Sequence, residues 1–399
     1  MIINTEEFIV LTGRKLPEVW IPYGSVEVAV DLKAENLSEV IKPNYPKTSV
    51  EELKEKLRSV DIKSSPLLIL PKPTRSVLMI LRTLLEEARE QSNTSSSITI
   101  ATVKQSMSAT RKIVEEFGSR LVQLENSKGE NSGGLDIHPP DRWADHQQRV
   151  VLSQTNFDPI FGFSGGAIEM AKLSAKQLYL AALTHEFSEK NTGIISEASE
   201  SALEVSDSLG DYTCIDVIGQ GEDVSEVIID QPRTTFQRSA ERLLQLNHKT
   251  ISEAGRAMIA SPGTEAGKTL STALSAFWNV MRGVKDGGIA ILLAEASEGL
   301  GSTALQLYVS GRLDVDATIR KGQYVEGLED LILLRRAQKL FKLVLVTSLP
   351  NYYSEVKLGL HALRKASDAV TEVFTNQGSK CKILMVSDAS NTLISTNSH

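Results

Sequence analysis

The stretch SPLLILPKPTRSVLMILRTLLEEARE, residues 65–90, decides the fold. It opens with the apolar run Leu67 to Leu70 between two prolines, which predicts a short buried strand ending on a Pro-bounded loop. Lys72-Pro73-Thr74-Arg75 is that loop, and residues 76–90 carry the apolar spacing of a helix. The same strand, loop and helix rhythm continues in SSITIATV (96–103) followed by a predicted helix over 108–125, and in RVVLSQT (149–155) followed by a helix to about Leu183. Strands alternating with helices imply a mainly parallel sheet. Upstream, LPEVWIPYGSVEVAVDLK (16–33) alternates apolar and polar residues around Tyr23-Gly24-Ser25 and predicts a β-hairpin, and SVEELKEKLRSV (49–60) predicts an amphipathic helix.

Downstream, residues 126–145 are rich in Gly, Pro, Asn and Asp and predict a surface loop, and residues 234–256 predict a polar helix between two halves. A second series follows: GRAMIAS (255–261), a helix to about Arg282, GGIAILLAEA (287–296), KLVLVTSL (342–349) and KCKILMVSD (380–388). This predicts an α/β protein of two α/β domains, residues 1–245 and 246–399, with mainly parallel sheets facing across an interdomain cleft. The extreme C-terminus is a candidate to pack back on the first domain.

Composition narrows the function. With 43 Lys+Arg against 50 Asp+Glu, the net charge of −7 lacks the basic footprint that phosphate-backbone binding needs, so nucleic acid is not an expected partner. Cys214 and Cys381 lie far apart and outside any C-x-x-C, which removes disulfide frameworks and thiolate metal sites. The apolar runs fall short of the ~20 residues that cross a bilayer, and the N-terminus has no signal-peptide core, so the expected location is cytoplasmic, without a membrane partner. Six histidines remain for metal or proton chemistry.

Five motifs are candidates for chemistry. Ser261-Pro262-Gly263-Thr264-Glu265-Ala266-Gly267-Lys268-Thr269 ends like a P-loop, but Pro262 stands where the first glycine is required, so a loop opening a helix with a solvated Lys268 is expected. His138, Asp141, Asp145 and His146 suit a metal by type, yet the rigid His138-Pro139-Pro140 segment offers no fixed helical face, and no metal site is expected. Gly162-Phe163-Ser164-Gly165-Gly166, between a strand and a helix, leaves backbone N–H groups uncovered at the positive end of a helix and predicts an anion seat, although such a turn also needs glycine for steric reasons alone. The Lys72, Thr74 and Arg75 loop adds two cations and a hydroxyl at another strand end. Glu295 and Glu298 follow the strand at 287–294 and are candidate acid/base or binding carboxylates.

Together these segments resemble the nickel-pincer lactate racemase family almost end to end. The likeness is carried by the Tyr23-Gly24 hairpin, Thr74-Arg75, the Gly162–Gly166 turn, His185 after the next helix, the block Lys285–Gly301, and Asp388-Ala389-Ser390-Asn391-Thr392-Leu393. The resemblance implies two α/β domains and, in active members, a pyridinium mononucleotide carrying nickel, tethered as a thioamide to lysine, with two histidines exchanging protons on a 2-hydroxyacid. This chain departs from it. Ile168 stands at the tether, which excludes covalent attachment there. Asp158 stands at the nickel-ligand histidine, Gln105 at one acid/base histidine, Lys72 at an acidic position, and Ser271, Thr272 and Ser275 at the substrate clamp. His185 corresponds to the other acid/base histidine.

The expected site is therefore His185 and Asp158 as catalytic candidates, with Lys72, Thr74, Arg75, Ser164, Gly165, Gly166 and Glu295 as cofactor-binding candidates and no metal ligands. The leading reading is a binding protein for a small phosphate or carboxylate with racemisation lost, either forming homo-oligomers or partnering an active relative. The alternatives are a 2-hydroxyacid racemase or epimerase with a noncovalently held nickel-pincer cofactor, and a different reaction using Glu295, Glu298 or Asp158.

Overall fold

The computed structural model describes residues 18–60, 62, 65–91, 98–124, 137–140, 142–175, 177–184 and 191–397. The chain divides into two units, Asn44–Asn247 and a second one built from residues up to Pro43 together with His248–His399. The sequence placed a single boundary at 245; the structure adds one at 43, and strand pairing explains why. The expected hairpin forms as β1 (Glu18–Tyr23) and β2 (Val26–Asp31), paired antiparallel through the turn at Gly24. The next strand, β3 (Leu37–Ile41), then hydrogen-bonds in parallel with a strand near the C-terminus.

In the 44–247 unit, α1 (Val50–Leu57) starts at a capping box between Ser49 and Glu52. Strand β4 (Leu67–Leu70) runs into α2 (Arg75–Gln91), and β5 (Thr99–Thr102) into α3 (Met107–Glu116). The helix expected over 108–125 stops early. Gly118 takes φ +66°, a left-handed conformation that ends helices, and Arg120–Gln123 becomes the edge strand β6. Strand β7 (Arg149–Gln154) leads through the two-residue strands β8 (Phe157–Asp158) and β9 (Gly162–Phe163) into α4 (Gly166–Ser174). The helix expected to continue to Leu183 breaks at Ala175 and restarts as α5 (Gln177–Thr184). Helix α6 (Glu197–Ser208) and the antiparallel pair β10 (Thr213–Gln220) and β11 (Asp223–Asp230) complete the sheet, and α7 (Pro232–Asn247) closes the unit.

The sheet order is β11-β10-β7-β4-β5-β6, parallel throughout except for β11. All four β4 residues are fully buried: Leu68 and Leu70 enter one apolar cluster with α1 and α2, and Leu67 and Ile69 enter another with Met170 and Trp143. A strand covered on both faces reads as a continuous apolar run, which is why residues 67–70 announced the fold.

In the second unit, the helix expected over 234–256 has already ended, and His248–Ile251 forms β12. There follow β13 (Gly255–Ala260), α8 (Leu270–Val280), β14 (Val284–Leu293), then α9 (Thr303–Val309), α10 (Val315–Arg320) and α11 (Leu328–Leu340). Strands β15 (Lys342–Val346) and β16 (His361–Leu363), helix α12 (Ser367–Gln377), β17 (Ile383–Val386) and β18 (Leu393–Thr396) end the chain. The sheet is fully parallel, in the order β16-β15-β14-β13-β17-β3. The C-terminal strand β18 pairs with β12 inside this unit. Val19, Ile21, Val30 and Leu32 from the hairpin share one buried cluster with Ile259, Ile291, Val344 and Met385. Each fully buried aliphatic side chain contributes about 1.5–3 kcal/mol, so residues 18–43 are part of this core.

A fragment of residues 44–247 is expected to melt cooperatively by circular dichroism. A fragment of 248–399 is expected to lack a cooperative transition until residues 1–43 are supplied, in trans or by fusion; a cooperative melt of 248–399 alone would contradict this account.

Candidate functional site

The connection from β7 to α4 carries most of the predicted residues. Gly165 takes φ +147° and Gly166 opens the helix. Both lack side chains because strand β10 lies directly against them: a Cβ on Gly165 would meet Asp216 Oδ2 at 2.6 Å, and one on Gly166 would meet Cys214 Sγ at 2.7 Å. Without those side chains, Asp216 Oδ1 reaches the Gly166 N–H at 2.7 Å, and Oδ2 lies 3.2 Å from the Thr155 hydroxyl. The exposed backbone donor that the glycines promised is thus taken by an internal carboxyl group. Asp216 is fully buried, and burial pushes its carboxyl up to about 7 against the opposing hydrogen bonds from Gly166, Thr155 and Ser239. Ser164 is equally committed: its Oγ accepts the Asn156 N–H at 3.0 Å, so the hydroxyl ties the turn together.

Asp158 ends β8 under the same turn. Its Oδ1 accepts the N–H groups of Ile160 (2.8 Å) and Phe161 (2.9 Å), and its Oδ2 accepts Lys172 Nζ at 2.8 Å. Lys172, on α4, also donates to Glu169 at 2.9 Å and sits 5.2 Å from the centre of the Phe161 ring and 5.8 Å from that of Tyr179. Burial alone would raise the Asp158 carboxyl, but the Lys172 ammonium and the two N–H donors hold it below its ordinary value. Burial likewise opposes the Lys172 charge, and the two carboxylates overcome it, raising the ammonium well above its ordinary value. Ile168, the residue at the tether position, is completely buried on the same helix.

The other predicted residues lie elsewhere. Lys72, Thr74 and Arg75 bridge β4 and α2, where Thr74 Oγ1 accepts the Val77 N–H at 3.3 Å, the first helical turn holds no acid, and the Lys72 and Arg75 side chains are exposed. Since β4 pairs with β7, this loop and the glycine turn leave neighbouring strands. Glu295 belongs to the second unit. His185 and Asp141 lie outside the described residues, as does most of the 126–145 loop. His146 hydrogen-bonds the Ser65 carbonyl at 2.8 Å.

The P-loop-like stretch opens α8, and its donors are also occupied. The N–H of Leu270 bonds to Gly299 O and that of Ser271 to Leu300 O, each at 3.0 Å, while Thr269 Oγ1 accepts the Thr272 N–H. Lys268 pairs with Glu265 at 2.9 Å where simple solvation was expected. At the switch between β13 and β17, where open α/β sheets bind ligands, the buried Asp388 takes hydrogen bonds from Ser390 and Asn391, and a Cβ on Gly263 would meet its Oδ1 at 2.7 Å. Ser271 and Ser275, at the expected substrate clamp, both bond the buried Asp330, the former at 2.5 Å.

Sequence reasoning missed Lys172, Asp216 and Asp330. A signal existed for each of the first two: an acid inside the apolar strand Cys214-Ile215-Asp216-Val217-Ile218 is costly unless bonded, and Glu169 and Lys172 stand three apart on one helix.

Removing one member of a buried ion pair leaves the other uncompensated, so Asp158→Asn and Lys172→Met are each expected to lower stability by about 3–5 kcal/mol in urea denaturation, with the double variant losing less than the sum. For Asp216, the folded state binds its proton more tightly than the unfolded chain does. Its contribution therefore weakens as pH rises from the ordinary carboxyl range through about 7 and is level above that. Urea midpoints between about pH 5 and 8 should fall less steeply with pH in Asp216→Asn than in the unaltered protein; equal slopes would exclude this role.

No protein-family model and no curated protein matches the sequence. Solved structures do. The lactate racemase apoprotein from Thermoanaerobacterium thermosaccharolyticum is similar with a TM-score of 0.76 and 16% identity over 95% of this chain and 100% of that one. A Thermotoga maritima protein solved as a Northeast Structural Genomics Consortium target is similar with a TM-score of 0.65 and 13% identity, over 88% and 100%. At these identities the likeness is one of architecture: this chain has the fold of the lactate racemase apoprotein.

Proposed function

We propose that this chain is a lactate-racemase-like protein that binds a small anion, a phosphate or a carboxylate, at Lys72, Thr74 and Arg75, and that nickel-pincer racemisation is lost. The observation that carries the reading is the occupation of the α4 region by the protein's own groups. The buried alkyl chain of Ile168 forms no thioamide, so a covalently tethered nickel-pincer nucleotide does not fit these residues. Asp158, where the resemblance implies a histidine, is held ionised by three donors and has little basicity left for proton abstraction. That argues against the second reading, a 2-hydroxyacid racemase with a noncovalent cofactor and Asp158 as one of its two bases. The Gly166 N–H at the start of α4 and the first N–H groups of α8 already have acceptors within the protein. Lys72 and Arg75, at the start of α2, have exposed side chains and the first turn of that helix holds no acid, a charge combination that favours a multiply charged anion.

Inorganic phosphate is expected to raise the melting temperature of the purified protein in a concentration-dependent way. Arg75→Ala should abolish the rise and Lys72→Ala should weaken it. Intact-mass analysis should return the polypeptide mass with no adduct. A melting temperature indifferent to phosphate and to small carboxylates, or an equal rise in Arg75→Ala, would reject the anion site; a covalent nucleotide adduct would reject the loss of the cofactor.

A further inference from the structure

Strand β14 carries an insertion near its start. Between the paired residues Gly255↔Val284 and Ala257↔Ile289, β13 advances by two residues and β14 by five, so Lys285-Asp286-Gly287-Gly288 has no partner in β13. On its other side, β14 pairs with β15 only from Ile289 onward. These residues therefore form a bulged turn whose flanks, the buried Val284 and Ile289, belong to the sheet. The sequence explains the shape. Gly287 takes φ +75°, which a residue with a Cβ rarely adopts, and Gly288 stands where a Cβ would meet the carbonyl oxygens of Arg256 and Lys285, each at 2.8 Å.

Asp286-Gly287 is the one Asp-Gly step in the sequence, and no Asn-Gly step occurs. At such a step the following amide nitrogen has no side chain beside it to hinder attack on the aspartate carboxyl. The surroundings leave this one open. Lys285, Asp286 and Gly287 are exposed, and a Cβ on Gly287 would meet nothing within 4 Å. Among the described residues, no hydrogen bond or ion pair holds the Asp286 carboxylate. The Gly287 carbonyl is held by the Gln377 side chain at 3.2 Å, at the surface. Gly287 and Gly288 also border an open depression of about 530 Å³ between the ends of α11 and α12, which gives water a path to the turn. Asp388, by contrast, is buried and its carboxylate is bonded by Ser390 and Asn391.

We infer that Asp286 is a site of spontaneous isoaspartate formation in the folded protein. The Gly287 amide nitrogen attacks Cγ of the protonated Asp286 carboxyl. A C–N bond replaces the C–OH bond, and the hydroxyl leaves with the amide hydrogen as one water, giving a cyclic imide. A second water then opens the ring. Attack at the side-chain carbonyl restores aspartate, whereas attack at the main-chain carbonyl leaves Asp286 joined to Gly287 through its side chain, with a free α-carboxylate. Atomic composition is unchanged, and the main chain gains one methylene. That extra atom falls between ladder positions and not within them.

Prolonged incubation of the full chain at neutral pH and physiological temperature, followed by peptide mapping with tandem mass spectrometry, tests this. Isoaspartate at 286 should accumulate in the folded protein at a rate within about ten-fold of that in the same chain unfolded in guanidinium chloride. Asp286→Glu should lose the product, because its ring would have to be larger, and Asp286→Asn should raise it, with ammonia leaving in place of water. A turn that reacts only after local opening is slowed about ten-fold for each increment of about 1.4 kcal/mol in opening free energy, so a folded-state rate more than about ten-fold below the unfolded one overturns the inference. So does an equal isoaspartate signal at 286 in Asp286→Glu. If that variant does not fold, the comparison of folded and unfolded forms of the unaltered chain decides.

Discussion

The short contact between the Asp216 carboxyl and the Gly166 N–H organises much of the 44–247 unit. It exists because two consecutive residues have no side chain, and it sets where α4 begins. The position of α4 then places Glu169 and Lys172 beneath the β8–β9 turn, and Lys172 in turn neutralises Asp158. A buried carboxylate with a cation and two N–H donors is tolerable; without them it is not. The segment therefore behaves as a linked series in which each polar group is the condition for burying the next, and its product is a turn in which the Gly166 N–H, Asp158 and Lys172 all have partners.

The second unit reaches a similar end by other means. There the loop at 296–300 supplies backbone carbonyls to α8, and Asp388 closes the switch between β13 and β17 with its own neighbours. In both units, positions at which α/β sheets commonly receive ligands are filled from within. A fold can thus be kept in full while its chemistry changes, because the parallel sheets rest on strand burial, and the loops at their carboxyl ends contribute little to that core.

How much of this was legible depended on the range of the interactions. The runs at 67–70 and 287–293 read as buried strands because burial on both faces leaves an apolar sequence, and the hairpin at 18–31 read from its alternation. The helix over 107–116 was read too long because Arg120–Gln123 continues the apolar spacing, and only the left-handed Gly118 separates the two. The Gly165-Gly166 pair was legible as a special turn. Which of its two readings applied depended on Asp216, some fifty residues away on another strand, and spacing alone does not show that pairing. The same limit hid the alliance of Asp158 with Lys172, and the boundary at 43, which rests on a strand contact between opposite ends of the chain.

That last contact bears on how the protein is made. During synthesis the hairpin and β3 emerge before residues 44–247, yet the neighbour of β3 is β17, whose Ile383 lies opposite Leu37 in the ladder. Residues 44–247 emerge next with a complete sheet of their own, so this unit can fold while the ribosome is still working. The first 43 residues meanwhile carry Val19, Ile21, Val30 and Leu32 with no core to enter. Closing so long a loop is slow for reasons of chain entropy, although each doubling of its length adds only about 0.6 kcal/mol. The hairpin and β3 are thus synthesised ahead of the 44–247 unit and buried after it, which leaves their apolar side chains open to chaperones and to aggregation in the interval.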